Sequence, residues 1–151
     1  MKHLKIKKLN QNAAIPTRAT PESAGLDLCA CTEEPIIIPA HGRALIPTGL
    51  AIAIGNPGVV ALIFGRSGLG SKFGVTPSNC VGVVDSDYRG EIMIPMANHG
   101  DKDFTIHHGD RVAQLLLTPI FTPELLLCDE LDETARGTGG FGSTGIKGDS
   151  I

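Results

Sequence analysis

Five glycine-punctuated polar stretches carry most of the residues in this chain that could do chemistry: AGLDLCA (24–30), GRSGLGSKFG (65–74), GVVDSDYRGEI (82–92), GDRVAQLLL (109–117) and RGTGGFGSTG (136–145). In the second, small residues let the backbone approach a ligand, and successive N–H groups can form a concavity for an anion. Ser67 adds a hydroxyl, and Arg66 a planar fork that matches phosphate oxygens. The Gly-Lys-Ser/Thr ending of a P-loop is absent, so the stretch reads either as another kind of anion cradle or as a bulge with a salt-bridged arginine. The third stretch gathers Asp85, Asp87 and Glu91. Aspartates suit turns, but a carboxylate at a strand end is also placed to take a proton from water. Tyr88, the single tyrosine of the chain, follows three residues after Asp85, where its ring could press against a sugar. Gln114 interrupts an apolar strand, and a buried amide there needs partners in the protein or in a ligand. The adjacent Asp110 and Arg111 read as a structural pair.

The fifth stretch is half glycine, which makes ordering it costly. It nevertheless holds Arg136 and Phe141, which a plain linker does not need. The cysteines at 29, 31, 80 and 128 lack zinc-site spacing and read as reduced, buried or half-buried thiols. The five histidines show no ligand spacing and belong to the surface or to turns.

These stretches must hang on a scaffold, and the apolar pattern says which. Short apolar runs at 4–9, 35–39, 43–47, 49–54, 58–64, 79–84, 90–97, 103–106, 111–118 and 124–128 predict strands. Between them lie turn clusters such as Gly-Asn-Pro-Gly at 55–58, and residues 67–73 predict one helical turn at most. About ten strands at near-regular spacing imply an all-β sandwich, jelly roll or barrel. With 151 residues the chain fits one domain. No tryptophan and only six Phe or Tyr are present, so aliphatic side chains must fill the core. A net charge of −3 gives no general pull toward nucleic acid or membrane, and no 18-residue apolar run or signal-peptide pattern occurs. A cytoplasmic, soluble protein is expected.

In this order and register the five stretches resemble the five motifs of the homotrimeric dUTPase family, the deoxyuridine triphosphate nucleotidohydrolases; AGLDL, GRSGLG, GVVDSDYRG, GDRVAQ and RGTGGFGSTG look like motifs one to five. The resemblance covers residues 24–145. It implies a jelly-roll-like all-β domain over 1–133 and a flexible glycine-rich arm, 134–151, that closes over the active site. It also implies a homotrimer with sites shared between subunits, acting on dUTP, with no nucleic-acid partner. The reaction would be hydrolysis of dUTP to dUMP and pyrophosphate, which removes dUTP and supplies dUMP for thymidylate synthesis. By resemblance Asp85 activates the water that attacks the α-phosphorus. Arg66, Ser67, Gly68 and Gln114 would meet phosphates, and Tyr88 would pack under the deoxyribose. Asn79, Gly82, Val83, Val84 and Met93 would form the uracil pocket. Asp27 would support the phosphate region, while Arg136 and Phe141 would cover the phosphates and the base. Mg²⁺ would arrive on the triphosphate, held by phosphate oxygens and waters rather than by side chains. A dCTP deaminase shares this fold, but no segment here matches the glutamate with which such enzymes activate water.

Overall fold

Runs of valine, isoleucine and leucine that bury alternate residues build the strands of a computed structural model that describes residues 3–140. The strands are β1 (Lys5–Lys8), β2 (Leu26–Cys29), β3 (Ile36–Ile38), β4 (Arg43–Pro47), β5 (Leu50–Ala53) and β6 (Val59–Gly65). After a helix, α1 (Ser67–Phe73), come β7 (Val75–Pro77), β8 (Val81–Val84), β9 (Met93–Asn98), β10 (Phe104–Ile106) and β11 (Arg111–Pro119). All pairings are antiparallel. One sheet has the order β2-β11-β6-β8 and a second β4-β9-β7, with two-stranded ribbons β1-β5 and β10-β3. The all-β expectation holds in its sandwich form, since no sheet closes into a barrel among the described residues.

Aliphatic side chains do fill the core: Leu28, Ile38, Ile46, Ile94, Met96 and Leu115 are almost free of solvent contact. Among the buried polar residues is Asn98, whose Nδ2 donates to the Ile38 and Lys102 carbonyls while its Oδ1 accepts from Gly100 N. With both N–H donors and the carbonyl oxygen engaged, burying the amide costs little and ties β9 to β3.

Four expectations need correction. Residues 124–128 form no strand; Leu125, Leu126 and Leu127 are 97%, 89% and 97% exposed, because no strand edge of this chain lies beside them. Two strands went unforeseen: β2, inside the AGLDLCA stretch, and β7, whose Val-Thr-Pro holds no apolar run. Residues 67–73 make nearly two helical turns, not one. The helix stops at Gly74 in the left-handed region (φ 68°), whose N–H closes onto the Gly70 and Leu69 carbonyls. Last, Cys80 and Cys128 are exposed, although Cys31 is buried and Cys29 half-buried. Among the described residues no helix is long and apolar enough to cross a membrane.

Candidate active site

The connection from β8 to β9 leaves one sheet and enters the other, and a cleft opens between the two sheet edges. Asn79, Gly82, Val83, Val84, Asp85, Tyr88 and Met93 all line it, so the sequence-predicted base, sugar and water-activating residues converge on one place. β8 is the edge strand of its sheet, so one row of its backbone N–H and C=O groups has no partner strand. Gly82 packs tightly on β6, where a Cβ would stand 3.1 Å from that of Ile63. A turn follows β8, closed by Tyr88 N donating to the Asp85 carbonyl at 3.2 Å. The Tyr88 hydroxyl then donates to the Glu91 carbonyl at 2.9 Å. Asp85 is exposed at the mouth, whereas Glu91 turns inward and its Oε1 accepts from Gly49 N at 2.7 Å. Thr48 Oγ1 adds a buried bond to the Ile92 carbonyl, 2.7 Å. The β8–β9 connection is thereby pinned to the β4–β5 turn. Of the three acids expected together, Asp85 and Glu91 both line the cleft, Glu91 with one oxygen bonded to Gly49 N, and Asp87 lies outside the lining.

A second cleft collects Asp27, Arg66, Ser67, Gly68 and Gln114. Asp27 on β2 is mostly buried, with side-chain exposure of 14%. One of its oxygens accepts from Arg66 Nε at 3.1 Å and the other from Arg111 Nη1 at 3.2 Å. Asp110 and Arg111, read as structural, each make such a bond but with other partners: Arg111 with Asp27, and Asp110 accepting from the His107 N–H. A β-bulge between Arg111 and Ala113 lies beside this ion triad. Two guanidiniums on one carboxylate leave a net positive charge at the cleft. Gln114 Nε2 donates to the Gly65 carbonyl at 3.0 Å, and a Cβ on Gly25 would come within 2.7 Å of Gln114 Oε1. The first-turn N–H groups of α1, at Ser67 and Gly68, have no partner four residues back. The thiol of Cys29, nearby on β2, is pushed up by burial and then by the Asp27 carboxylate, so it stays protonated.

The two clefts share no lining residue. Val84 lies opposite Ala61, and Arg66, just past the end of β6, is five residues further on, about 16 Å at a rise of roughly 3.3 Å per residue. Because the strands are antiparallel, Asp85 continues away from Arg66 and the gap widens. Arg136 lines neither cleft and bonds within its own loop, Nε to the Gly139 carbonyl. Phe141 lies outside the described residues. Sequence reading missed Arg111, whose role depends on a contact with Asp27, 84 residues away.

A deoxyuridine triphosphatase family model, dUTPase, matches residues 11–145. The chain belongs to the dUTPase family. That membership makes it an enzyme, a dUTP diphosphatase. It is 50% identical over 132 residues to the deoxyuridine 5'-triphosphate nucleotidohydrolase of Desulfitobacterium hafniense, covering 87% of each chain. Among solved structures it is similar to a Staphylococcus bacteriophage 80alpha dUTPase determined with dUPNHPP (TM-score 0.87, 29% identity, 97% of this chain and 100% of that one). It is also similar to a phage phi11 dUTPase whose structure describes a coordinated structural Mg(II) ion (TM-score 0.78, 26% identity, 87% of this chain and 100% of that one). The two clefts of this dUTPase are therefore sites where a nucleotide's parts should be sought.

Proposed function

We propose that this dUTPase binds the uracil and deoxyribose of dUTP in the β8–β9 cleft of one subunit and the phosphates in the Asp27–Arg66 cleft of another. The separation of the clefts carries this reading. The backbone positions of Asp85 and Arg66 in one chain lie at least about 16 Å apart along the strands, a separation that favours a second copy supplying the other cleft. A second copy then completes each site. The apolar side chains after β11 support assembly, since Phe121, Leu125, Leu126 and Leu127 are each at least 89% exposed, more than a monomer tolerates in one stretch. A homotrimer satisfies both demands, and light scattering is expected to read three chains; a monomeric mass under turnover conditions would refute it. The arm from 134 onward, with Arg136 and Phe141, closes over the bound nucleotide and excludes water.

The uracil lies along the free edge of β8. Alternating backbone donors and acceptors there suit uracil, and cytosine's reversed pattern would leave buried groups unpaired. The close packing of β8 and the β8–β9 connection rejects thymine by steric clash rather than by lost affinity. Tyr88 packs on the deoxyribose where a 2′-hydroxyl would stand. Asp85 accepts a proton from a water, whose oxygen bonds to the α-phosphorus as the bond to the pyrophosphate oxygen breaks. Arg66, Ser67, Gly68 and Gln114 hold the phosphates, with Arg111 and Asp27 orienting Arg66.

Mg²⁺ would reach this site on the nucleotide, held by phosphate oxygens and waters. Among the described residues no group of three or more potential ligands converges, and both Asp27 oxygens are taken by arginines. When bound, the ion supplies charge neutralisation of the triphosphate. The enzyme is read as cytoplasmic, acting on free nucleotide. The deciding assay is pyrophosphate release from dUTP against dCTP, dTTP and UTP, with and without Mg²⁺. Release from dUTP alone is expected; ammonia from dCTP with no dUTP turnover would overturn the assignment.

A further inference from the structure

We propose that Gly90 is a specificity-positioning residue: its missing side chain is the seat on which the Tyr88 ring rests. A Cβ at Gly90 would stand 2.6 Å from Tyr88 Cζ and 3.0 Å from Cε2, and would run into the hydroxyl as well. Ordinary carbon contacts are about 3.5–4.0 Å, so the ring would have to retreat by roughly 1 Å. The backbone gives no separate reason for glycine here. Gly90 is not among the glycines in the left-handed region, which are 49, 55, 74, 109 and 137. The three atoms nearest a Cβ there all belong to the Tyr88 ring and its hydroxyl. The obstructed group is the far end of a side chain that is 45% exposed, so it has solvent space into which to turn. Substitution should therefore move the ring and spare the strands.

The surrounding bonds make this seat a gauge rather than a loose stack. The Tyr88 hydroxyl is tied to the Glu91 carbonyl, and Glu91 is tied in turn to Gly49 N on the β4–β5 turn. Arg89 Nη1 donates to the Ser86 and Tyr88 carbonyls, fixing the loop behind the ring. With the ring seated on Gly90 and held at its hydroxyl, its distance from the sugar is set to a fraction of an ångström. A 2′-hydroxyl is rejected by that distance. This rests on the reading of Tyr88 as the residue facing the deoxyribose.

Two measurements test it on the full chain. Gly90→Ala is expected to raise kcat/KM for UTP relative to dUTP about tenfold or more, toward the value of Tyr88→Ala. In the Tyr88→Ala background, adding Gly90→Ala should change that ratio by less than roughly twofold, because the glycine acts through the ring. The chain has one tyrosine and no tryptophan, so its tyrosine fluorescence reports Tyr88 alone. Acrylamide quenching should rise in Gly90→Ala while Tm stays near that of the unsubstituted enzyme. If Gly90→Ala does not fold, the double variant must fold, since removing the ring removes the clash; a double variant that stays unfolded overturns the proposal. Unchanged quenching with unchanged UTP discrimination also overturns it. If Tyr88→Ala itself discriminates normally, the sugar-facing reading of Tyr88 fails and takes this inference with it. If Tyr88→Ala relaxes discrimination and Gly90→Ala does not, the Gly90 inference fails alone.

Discussion

Asp85→Asn is expected to lower kcat for dUTP by about three orders of magnitude while changing the affinity for dUTP little. The amide has nearly the shape of the carboxylate, and the turn it sits in is closed by its backbone carbonyl, which the substitution leaves in place. What is lost is the capacity to take a proton from the attacking water. On the proposed reading, base and sugar contacts fall to other groups in the cleft, the free edge of β8 and the Tyr88 ring, so binding should survive. The check pairs single-turnover pyrophosphate release with calorimetric titration of the variant by dUTP. Near-normal release would remove Asp85 from its role. Weakened binding with normal release at saturating dUTP would instead make it a binding residue, because an interaction equal in the ground and transition states moves affinity and leaves kcat unchanged.

That prediction was within reach of the sequence, and its neighbours show where such reading stops. The Asp85–Tyr88 spacing places both side chains in one tight turn, so their company in the first cleft follows from local chain geometry. The strands from β3 to β6 and from β8 to β11 were legible for a similar reason, since alternating apolar residues report a half-buried pleat. Long-range pairing was not legible. Nothing near Arg111 announces that it will leave Asp110 for Asp27, because that contact depends on the register between β2 and β11. The apolar run at 124–128 has the composition of a strand, yet pairing needs an edge and this chain offers none there. A strand signal in sequence states a requirement for a partner; it does not say that the partner belongs to the same chain. Gly90 is a similar case. Its glycine looks like turn chemistry, and only the position of the Tyr88 ring shows what the empty space is for.

Mixing two inactive variants should restore turnover, and by a predictable amount. One partner is Asp85→Asn, which spoils the first cleft. The other is Arg66→Gln, which spoils the second while leaving Asp27 its bond to Arg111. Each alone is expected to lose about a hundredfold or more of its turnover. When the two are unfolded, mixed in equal amounts and refolded together, each site draws its first cleft from one chain and its second from a neighbour around a closed ring. A site is intact when the first comes from an Arg66→Gln chain and the second from an Asp85→Asn chain. Random assembly gives each condition one chance in two, so about a quarter of the sites, and about a quarter of the normal rate, should return. The estimate does not depend on which subunit supplies the arm, because both variants carry Arg136 and Phe141 intact. If each chain held a complete site of its own, the refolded mixture would run no faster than the average of its parents. The two results differ by more than tenfold on these figures, enough to decide whether the roughly 16 Å along β6 is bridged by a second subunit.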